Sequence, residues 1–287
     1  MAGVRRVSAS DAGMRPLMID CYGASDRGRM RPSNEDCFVI AELARTLTIH
    51  RSNISQSRAT QGQHRAQVLL VADGVGGSKA GEIASGLTCR SIEDFLLNTL
   101  QRFSNLQASD EQQALRELQT ALCEADSRLF EEAERVPQWR GMGTTLTMAI
   151  AVRWRLYVVH AGDSRCYLFS SGHLQQLTQD HTVTAELIRQ GIIPPDGAAH
   201  SPFRHVVTNI VGGSERGVQA ELHSLDLHPD DVVLLCSDGL TEMVSNASML
   251  SILQANSDPR RACECLIEEA NRAGGRDNVT AIVGRVQ

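Results

Sequence analysis

Aspartates stand beside glycines at the ends of several aliphatic runs in this sequence of 287 residues. In AQVLLVADGVGG the run ends at Asp73, which is followed by three glycines within four residues. RLYVVHAGDSR places Asp163 after a glycine, DVVLLCSDGL places Asp238 before one, and GGRDNVTAIVGRV places Asp277 just before another aliphatic run. Such runs predict strands buried on both faces. Asp-Gly is also the commonest hairpin-turn signal, so one such segment alone predicts no more than a tight turn.

Carboxylates that converge at strand ends would form a cation site. Only Arg165 and Arg276 lie close enough in sequence to be obvious partners, so a surplus of negative charge remains. Burial of that surplus raises the carboxyl pKa values or draws in cations, because an unpaired buried charge costs many kcal/mol. Carboxylate oxygens, with backbone carbonyls exposed at glycines, are the ligands that Mg²⁺ and Mn²⁺ prefer. The alternative is a set of independent turn aspartates.

A second charged motif, ASDRGRMRPSNEDCF, covers residues 24–38. Glu35 and Asp36 add two carboxylates, and Arg31 adds a guanidinium that can bind a phosphate through two parallel hydrogen bonds. An anionic substrate is one interpretation of this motif. The other is an exposed charged loop with no chemical role.

The composition argues against a nucleic-acid-binding protein. The chain has 28 basic and 34 acidic residues, and its one basic cluster, RGRMR at 27–31, is short. No apolar segment approaches the roughly 20 residues that span a bilayer, and the first residues lack the apolar core of a signal peptide. Eight cysteines contain no CxxC pair, which favours reduced thiols over a zinc site or a disulfide framework. We therefore expect a monomeric, cytoplasmic protein that binds neither nucleic acid nor membrane.

The order of predicted elements indicates an α+β fold. Residues 1–17 are polar and aperiodic and predict a flexible tail, while 18–287 predict a single domain, because the first and last strands carry carboxylates of the same site. Residues 42–66 predict a long surface loop. Two antiparallel sheets packed face to face, with helices on the outer faces, would bury the aliphatic runs. Strands are predicted at about 18–24, 36–42, 66–72, 143–152, 155–161, 165–170, 174–177, 205–211, 217–225, 231–237 and 278–286, and helices at 80–101, 110–135, 184–191, 246–256 and 259–273.

Six segments resemble, in order, the motifs of the metal-dependent protein Ser/Thr phosphatases of type 2C (PPM), in their bacterial branch. They are SDRGRMRPSNEDCF, VADGVGGSKAGEIAS, GMGTTLTMAI, VVHAGDSRCYL, LLCSDGL and GGRDNVTAIV, and they span about residues 20–286. The resemblance implies a central sandwich of two antiparallel β-sheets flanked by α-helix pairs, with a binuclear Mn²⁺ or Mg²⁺ centre between the sheets. It also implies that a water activated at this centre hydrolyses phosphoserine and phosphothreonine in proteins, opposing a cognate bacterial Ser/Thr kinase.

The same resemblance assigns metal ligands. Asp73 would bridge two tightly bound ions. The carbonyl of Gly74 and, through water, the carboxylate of Glu35 would serve one ion, and Asp238 and Asp277 would serve the other. Asp73 would end its strand because a rigid strand end fixes a bridging carboxylate, and Gly74 would follow because its carbonyl must face a metal without a side chain in the way.

The remaining assignments concern the surroundings of the two ions. Asp36 would support coordinated waters, and Arg31 would bind the substrate phosphate. Asp163, together with Asp238, resembles the family's weaker third metal site. Residues 182–215 match the position of the flap beside the active site, whose contacts would tune substrate choice.

One position departs from the pattern of the animal members. They carry a histidine, thought to protonate the leaving alkoxide, where this chain has Val75. The general acid is therefore unassigned, and a water on a metal ion is the first candidate. His160 and His181 are available, although histidines in such positions are more often structural.

Two other functions compete with this prediction. A carboxylate cluster alone also fits a metal-dependent nuclease or another phosphoesterase, but the chain lacks the basic surface of a nuclease. A phosphatase fold can also serve as a catalytically inactive binding module. That alternative conflicts with the presence of every expected ligand, because an inactive relative would be expected to have lost at least one.

Overall fold

The fold is a sandwich of two antiparallel sheets between two pairs of helices. A computed structural model describes residues 17–44, 65–76, 78–104, 111–194, 197 and 201–287. Nearly all of the predicted N-terminal tail and most of the predicted surface loop lie outside the described residues. The α+β class predicted from the sequence is confirmed.

Twelve strands and six α-helices form within the described ranges. The strands are β1 (Ile19–Asp26), β2 (Asp36–Ala44), β3 (Arg65–Val75), β4 (Gly143–Thr144), β5 (Leu146–Val152), β6 (Arg155–Ala161), β7 (Arg165–Ser170), β8 (His173–Gln176), β9 (Val211–Gly212), β10 (Glu221–Asp226), β11 (Val232–Cys236) and β12 (Val279–Val286). The helices are α1 (Ser78–Ser104), α2 (Glu111–Arg135), α3 (Val183–Arg189), α4 (Asp238–Thr241), α5 (Asn246–Ala255) and α6 (Pro259–Arg272).

Each sheet joins segments that are distant in the sequence. The five-stranded sheet has the order β1-β12-β11-β7-β8, so the first and last described strands are neighbours. The seven-stranded sheet has the order β10-β6-β5-β3-β4-β9, and β2 also pairs with β3. All of these pairs are antiparallel. This topology carries the ends of β3 and β11, and the starts of β2 and β12, to one end of the sandwich.

Three apolar layers explain why the strands are aliphatic without interruption. One layer lies between the sheets, where Leu69 and Ala149 of one sheet meet Leu235 and Ile282 of the other. A second packs α1 and α2 on the seven-stranded sheet, and a third packs α5 and α6 on the five-stranded sheet. Every residue of β5 and β11 is buried, because each of these strands has apolar material on both faces.

Local sequence fixes where three of the helices begin. The hydroxyl of Thr182 accepts a hydrogen bond from the amide of Ala185 at the start of α3. Ser245 caps α5 in the same way, and Asp258 caps α6 just before a proline in the first turn. These caps satisfy amides that have no partner within the helix. No helix in the described part of the chain is long and apolar enough to cross a membrane.

The predicted helices are confirmed, but three strand predictions need correction. The segment 205–211 is not a strand: it makes a single bridge between Val207 and Thr182, and only Val211 and Gly212 form β9. Val206 and Val207 line a cleft instead of continuing a strand, so β-branched composition was misleading there. The strand expected at 217–225 begins only at Glu221. The strand expected at 143–152 is broken at Thr145, whose amide donates to the carbonyl of Asp73 at 2.8 Å.

Two adjacent leucines on α1 give a direct test of this packing. Leu96 is 4% exposed in the core, whereas Leu97 is 66% exposed. We expect Leu96→Ala to lower the free energy of unfolding by about 2–5 kcal/mol, because it removes buried apolar surface and leaves a cavity. Leu97→Ala should change it by no more than about 0.5 kcal/mol. Urea unfolding of both variants measures the difference, and equal destabilisation would contradict the assigned face of α1.

Candidate metal centre

The pairing of β2 with β3 places Asp36 directly opposite Asp73. The backbone at Asp73 is fixed on both sides. Its amide donates to the hydroxyl of Thr145 at 3.0 Å, and its carbonyl accepts the hydroxyl of Thr144 at 2.8 Å in addition to the Thr145 amide. The strand end therefore presents the Asp73 carboxylate from a rigid backbone.

Two glycines allow helix α1 to approach this strand end. A Cβ added to Gly74 would lie 2.2 Å from the carbonyl oxygen of Gly81, and one added to Gly81 would lie 2.0 Å from Oε2 of Glu35. The hydroxyl of Ser85, one turn further along the helix, donates to the carbonyl of Glu35 at 2.6 Å. Gly74 was singled out in the sequence, but Gly81 was missed, because its role depends on a contact between distant segments.

Asp36 is partly buried, with one carboxylate oxygen satisfied and the other not. Oδ2 accepts hydrogen bonds from Ser237 at 2.8 Å and from Thr280 at 2.7 Å. Oδ1 is buried without a hydrogen-bond partner. Burial raises the pKa of Asp36 to about 6, although the two hydroxyls oppose this shift. A buried carboxylate oxygen without a donor is a feature that a cation or ordered water would satisfy.

Asp238 and Asp277 reach the same region from β11 and β12. Oδ1 of Asp238 is buried without a hydrogen-bond partner. Burial, and then the charges of Asp163 and Asp277, raise the pKa of Asp238 well above its ordinary value. Gly239 follows Asp238 because a Cβ there would lie 1.9 Å from the carbonyl oxygen of Asn278.

Asn278 holds the charged loop against β12. Its Oδ1 accepts the amide of Glu35 at 2.8 Å, and its Nδ2 donates to the carbonyls of Arg27 at 2.9 Å and Ser33 at 2.8 Å. These three bonds place Glu35 beside Asp277. Sequence reasoning missed Asn278, and its position immediately after Asp277 was the only signal.

Arg31 is paired with Asp277. Its Nη2 lies 2.6 Å from Oδ2 of Asp277, and the hydrogen bond raises the pKa of the guanidinium. The arginine side chain is half exposed and lines the cleft. This ion pair would break when Arg31 binds a phosphate and Asp277 binds a cation.

Asp163 lies at the edge of the same cluster. It is 9% exposed, and burial raises its pKa to about 6. The following residues are fixed by a bidentate ion pair, in which Arg165 donates to both oxygens of Asp180 at 2.8 and 2.7 Å. Arg165, which the sequence offered as a partner for the cluster carboxylates, pairs with Asp180 and not with Asp163.

The predicted site residues described above, with the exception of Asp36, line one open cleft of about 830 Å³. Val75 lies at its wall and is 40% exposed. Three residues that sequence reasoning did not select as site residues also line the cleft: Arg204, His205 and Glu242. Nδ1 of His205 is 2.7 Å from Oε1 of Glu242, which brings the segment around His205 against the residue that follows α4. The predicted site residues that line the cleft are Arg31, Glu35, Asp73, Gly74, Asp163, Asp238 and Asp277.

His160 and His181 are not among the residues that line this cleft. Nδ1 of His160 bonds the hydroxyl of Thr147 at 2.9 Å, and Nε2 faces the carbonyl of Gly162 at 3.0 Å. Burial lowers the pKa of His160 to about 4. Its neutral ring is fully hydrogen-bonded, which agrees with the structural role that the sequence favoured.

The cluster fits a site for hard divalent cations. Burial, and then the charges of Asp36 and Asp238, raise the pKa of Asp73 well above its ordinary value. All the converging donors are oxygens, and two buried carboxylate oxygens have no hydrogen-bond partner. Mg²⁺ and Mn²⁺ prefer such donors. These residues therefore fit a site that binds divalent cations better than they fit a cluster of ionised carboxylates without metal.

The raised pKa values predict a pH-dependent stability after treatment with a chelator. A carboxyl group with a raised folded-state pKa binds its proton more tightly in the folded than in the unfolded chain. Its stabilising contribution is complete below the unfolded pKa and is lost as pH rises, by up to about 1.4 kcal/mol per pH unit. Asp73→Asn removes one such group. We expect it to raise the melting temperature in chelator, and to do so more at pH 7 than at pH 5.

The pKa of His160 is lowered in the folded protein, so His160 destabilises the fold as pH falls, which is the opposite trend. This contribution cancels when the variant and the parent are compared at the same pH. Saturating Mn²⁺ should raise the melting temperature of the parent at pH 7. An Asp73→Asn protein that melts below the parent in chelator at both pH values would show that Asp73 is not under electrostatic strain.

Comparisons with known proteins agree with this geometry. A family model described as protein phosphatase 2C matches residues 49–269. The serine/threonine phosphatase stp of Listeria innocua is 31% identical over 259 residues, which cover 90% of this chain and 92% of that protein.

Solved structures of bacterial phosphatases are similar over nearly the whole chain. The catalytic domain of the phosphatase PstP, solved in complex with two manganese ions, has a TM-score of 0.74 and 31% identity, covering 94% of this chain and 99% of that chain. Stp1 from Staphylococcus aureus has a TM-score of 0.78 and 26% identity, covering 97% of this chain and 100% of that chain. The chain therefore belongs to the protein phosphatase 2C (PPM) family, in its branch of bacterial serine/threonine phosphatases.

Proposed function

We propose that this protein hydrolyses phosphoserine and phosphothreonine monoesters in other proteins, at a centre of two divalent cations in the carboxylate cleft. The family supports the serine/threonine phosphatase activity. The observation that carries the proposal is the meeting of buried carboxylates with unpartnered oxygens and a half-exposed arginine in one open cleft. The arginine and the cations would meet the charge of a phosphate from opposite sides.

Two ions fit the arrangement of donors. Asp73 would contact both, with the carbonyl of Gly74 and the carboxylate of Glu35, through water, on one side, and Asp238 and Asp277 on the other. The related PstP structure contains two manganese ions, which supports the same number here. The cations would lower the pKa of a water and neutralise charge on the phosphate oxygens. We propose Mn²⁺ or Mg²⁺ as the native metal, because the donors are all oxygens.

The protein groups would orient the substrate and the waters of the site. Arg31, released from Asp277, would donate two hydrogen bonds to the phosphate. Asp36 is held by Ser237 and Thr280 with Oδ1 free to accept from a water. None of these groups needs to form a covalent bond with phosphorus, so direct hydrolysis without a phosphorylated enzyme is the mechanism that fits.

A weaker third cation would bind at the edge of the cleft. Asp163 and Asp238 would be its ligands, and both have raised pKa values because they are buried beside other carboxylates. His205 and Glu242 lie close to it, since ligand atoms of His205, Asp238 and Glu242 all fall within 4.8 Å of one another. An ion with so few protein ligands would keep most of its waters and bind weakly. A water on this ion is our candidate for the general acid.

The substrates would be phosphorylated proteins, and the opposing enzyme a bacterial Ser/Thr kinase. Residues 182–215 would form a flap beside the active site, because Arg204, His205 and Val206 from this segment line the cleft beside the carboxylates. We also propose a monomer that acts in the cytoplasm and binds no nucleic acid. The net charge of −6 at pH 7 supports the last point, since binding of nucleic acid requires clustered positive charge.

An inactive binding module and another metal-dependent phosphoesterase are the alternatives. The geometry disfavours an inactive module, because the five residues proposed for the two tight ions all line the cleft. A general phosphoesterase would act as well on a small phosphate ester as on a phosphopeptide. The ratio of the two rates separates that alternative from a protein phosphatase.

We predict that turnover of a phosphothreonine peptide requires Mn²⁺ or Mg²⁺ and stops in excess EDTA, because the carboxylates alone cannot activate a water. Asp73→Asn and Asp238→Asn should each lower kcat by several orders of magnitude. Asp230→Asn is a matched control, since Asp230 lies outside the cleft in a turn before β11. Phosphate release measures the rates. Full activity in EDTA, or near-native turnover by Asp73→Asn, would rule out the proposed centre.

We predict a smaller effect for the phosphate-binding arginine. Arg31→Ala should mainly raise KM for the phosphopeptide, with a lesser fall in kcat, because the guanidinium would bind ground state and transition state about equally. Arg27→Ala, in the same loop, should leave both constants near those of the parent, since this exposed side chain donates to the carbonyl of Pro32 at 3.3 Å and does not line the cleft. An unchanged KM for Arg31→Ala would place the substrate phosphate elsewhere.

A further inference from the structure

His181 is joined to the residue before Asp163 by two hydrogen bonds. The amide of His181 donates to the carbonyl of Gly162 at 2.7 Å, and the amide of Gly162 donates to Nδ1 of His181 at 3.1 Å. Gly162 has φ +118°, and a Cβ there would lie 2.5 Å from Cβ of Thr145. His181 therefore accepts the amide and donates to the carbonyl of Gly162, whose conformation favours glycine.

The other ring nitrogen fixes the tautomer of His181. Nε2 lies 3.0 Å from Oε2 of Glu221, which also accepts the amide of Gln179 at Oε1 and contacts His223. Although burial opposes it, hydrogen bonds from His181 and His223 lower the pKa of Glu221 to about 2. Glu221 is thus an ionised acceptor. The proton of His181 belongs on Nε2, which leaves Nδ1 to accept the amide of Gly162.

The same histidine contacts the flap. The amide of Thr208 donates to the carbonyl of His181 at 2.8 Å, and Nδ2 of Asn209 is 3.0 Å from its Nδ1. Asn209 is itself fixed, because it accepts the amide of Gln219 at 2.9 Å and donates to that residue's carbonyl at 2.8 Å. His181 therefore lies between two segments, the Asp163 loop on one side and the flap at residues 208–209 on the other.

We propose that His181 is a positioning residue that couples the flap to Asp163 and so sets the affinity of the weak cation site. This inference rests on the proposed role of Asp163 as a ligand. His181 does not line the cleft and needs no contact with substrate. If an unsuitable substrate displaced the flap, the hydrogen bonds between His181 and Gly162 would weaken. The carboxylate of Asp163 would then be less well positioned to bind the cation.

The nearby His160 does not turn this cluster into a metal site. Its Nε2 faces the carbonyls of Gly162 at 3.0 Å and Gln179 at 3.1 Å, so this nitrogen carries a proton and is a donor. The two imidazole rings lie 4.9 Å apart, tilted by 31°. His160 therefore supports His181 from behind as part of the hydrogen-bond network.

Two substitutions test the roles of the two ring nitrogens of His181 separately. The side-chain oxygen of an asparagine can replace Nδ1 as the acceptor for Gly162, whereas a glutamine can replace Nε2 as the donor to Glu221 but leaves Gly162 without its acceptor. We expect His181→Asn to keep the Mn²⁺ concentration for half-maximal turnover near the parent value. His181→Gln should raise it roughly tenfold, the effect of one lost hydrogen bond.

The measurements are Mn²⁺ activation curves with a phosphothreonine peptide, calorimetric counting of tight ions, and melting temperatures in chelator. His181→Gln should keep the tight ions of the parent, so that the loss is confined to the weak site. Asn209→Ala, on the flap side, should shift the activation curve in the same direction. His173→Gln is the matched control, because His173 is exposed on β8, away from the cleft, and its Nδ1 is hydrogen-bonded to the carbonyl of Ser171.

Asp163→Ala distinguishes failure of this inference from failure of the proposed weak site. If Asp163→Ala leaves the activation curve unchanged, Asp163 is not a ligand and the inference falls with it. Two other outcomes would leave the weak site in place but contradict the coupling through Nδ1. In the first, Asp163→Ala weakens activation by Mn²⁺ but His181→Gln does not. In the second, Asp163→Ala weakens it and both His181 variants weaken it to the same extent. A lower melting temperature of His181→Gln with an unchanged Mn²⁺ activation curve would show that His181 has only a structural role.

Discussion

Burial of several like-charged carboxylates at one end of the sandwich is the constraint on which the rest of the structure depends. The pKa values of Asp73 and Asp238 lie well above normal, because burial removes water and the neighbouring carboxylates repel charge. The effective cost of burying one ion is several kcal/mol, which is comparable with the whole stability of a domain. The raised pKa values of these carboxyl groups favour the uptake of protons or cations by the cluster. Cation binding and folding stability are linked through the same groups.

The surroundings hold these carboxylates in place despite that cost. Backbone hydrogen bonds from the segment at Thr145 fix the end of β3, and Asn278 ties the loop that carries Glu35 to the start of β12. Glycines allow backbone to approach within distances that a Cβ would forbid, as at Gly74 against α1. A donor set held by rigid strand ends costs little reorganisation when an ion binds. Such preorganisation is what electrostatic catalysis requires.

The sequence predicted the parts of the fold and site that depend on local pattern. Unbroken aliphatic runs identified the buried strands, and the recurrence of Asp beside Gly identified Asp73 and Asp238, which the structure brings into one cleft. Residues 205–211 were mispredicted as a strand, because the valines at 206 and 207 follow β propensity while their positions are set by contacts with the start of α3 and the cleft. Asn278 and Gly81 were missed for a different reason: their roles are contacts between segments far apart in the chain.

Anomalous X-ray scattering from crystals grown with Mn²⁺ tests the central claim most directly, since it locates the ions without reference to activity. We predict two strong anomalous peaks in the carboxylate cleft, with Asp73 in contact with both ions and Asp238 and Asp277 in contact with one of them. Crystals of Asp73→Asn grown in the same way should lose at least one peak. Peaks that avoid Asp73, or a cleft without any peak at saturating Mn²⁺, would contradict the claim that the buried carboxylates form a binuclear centre.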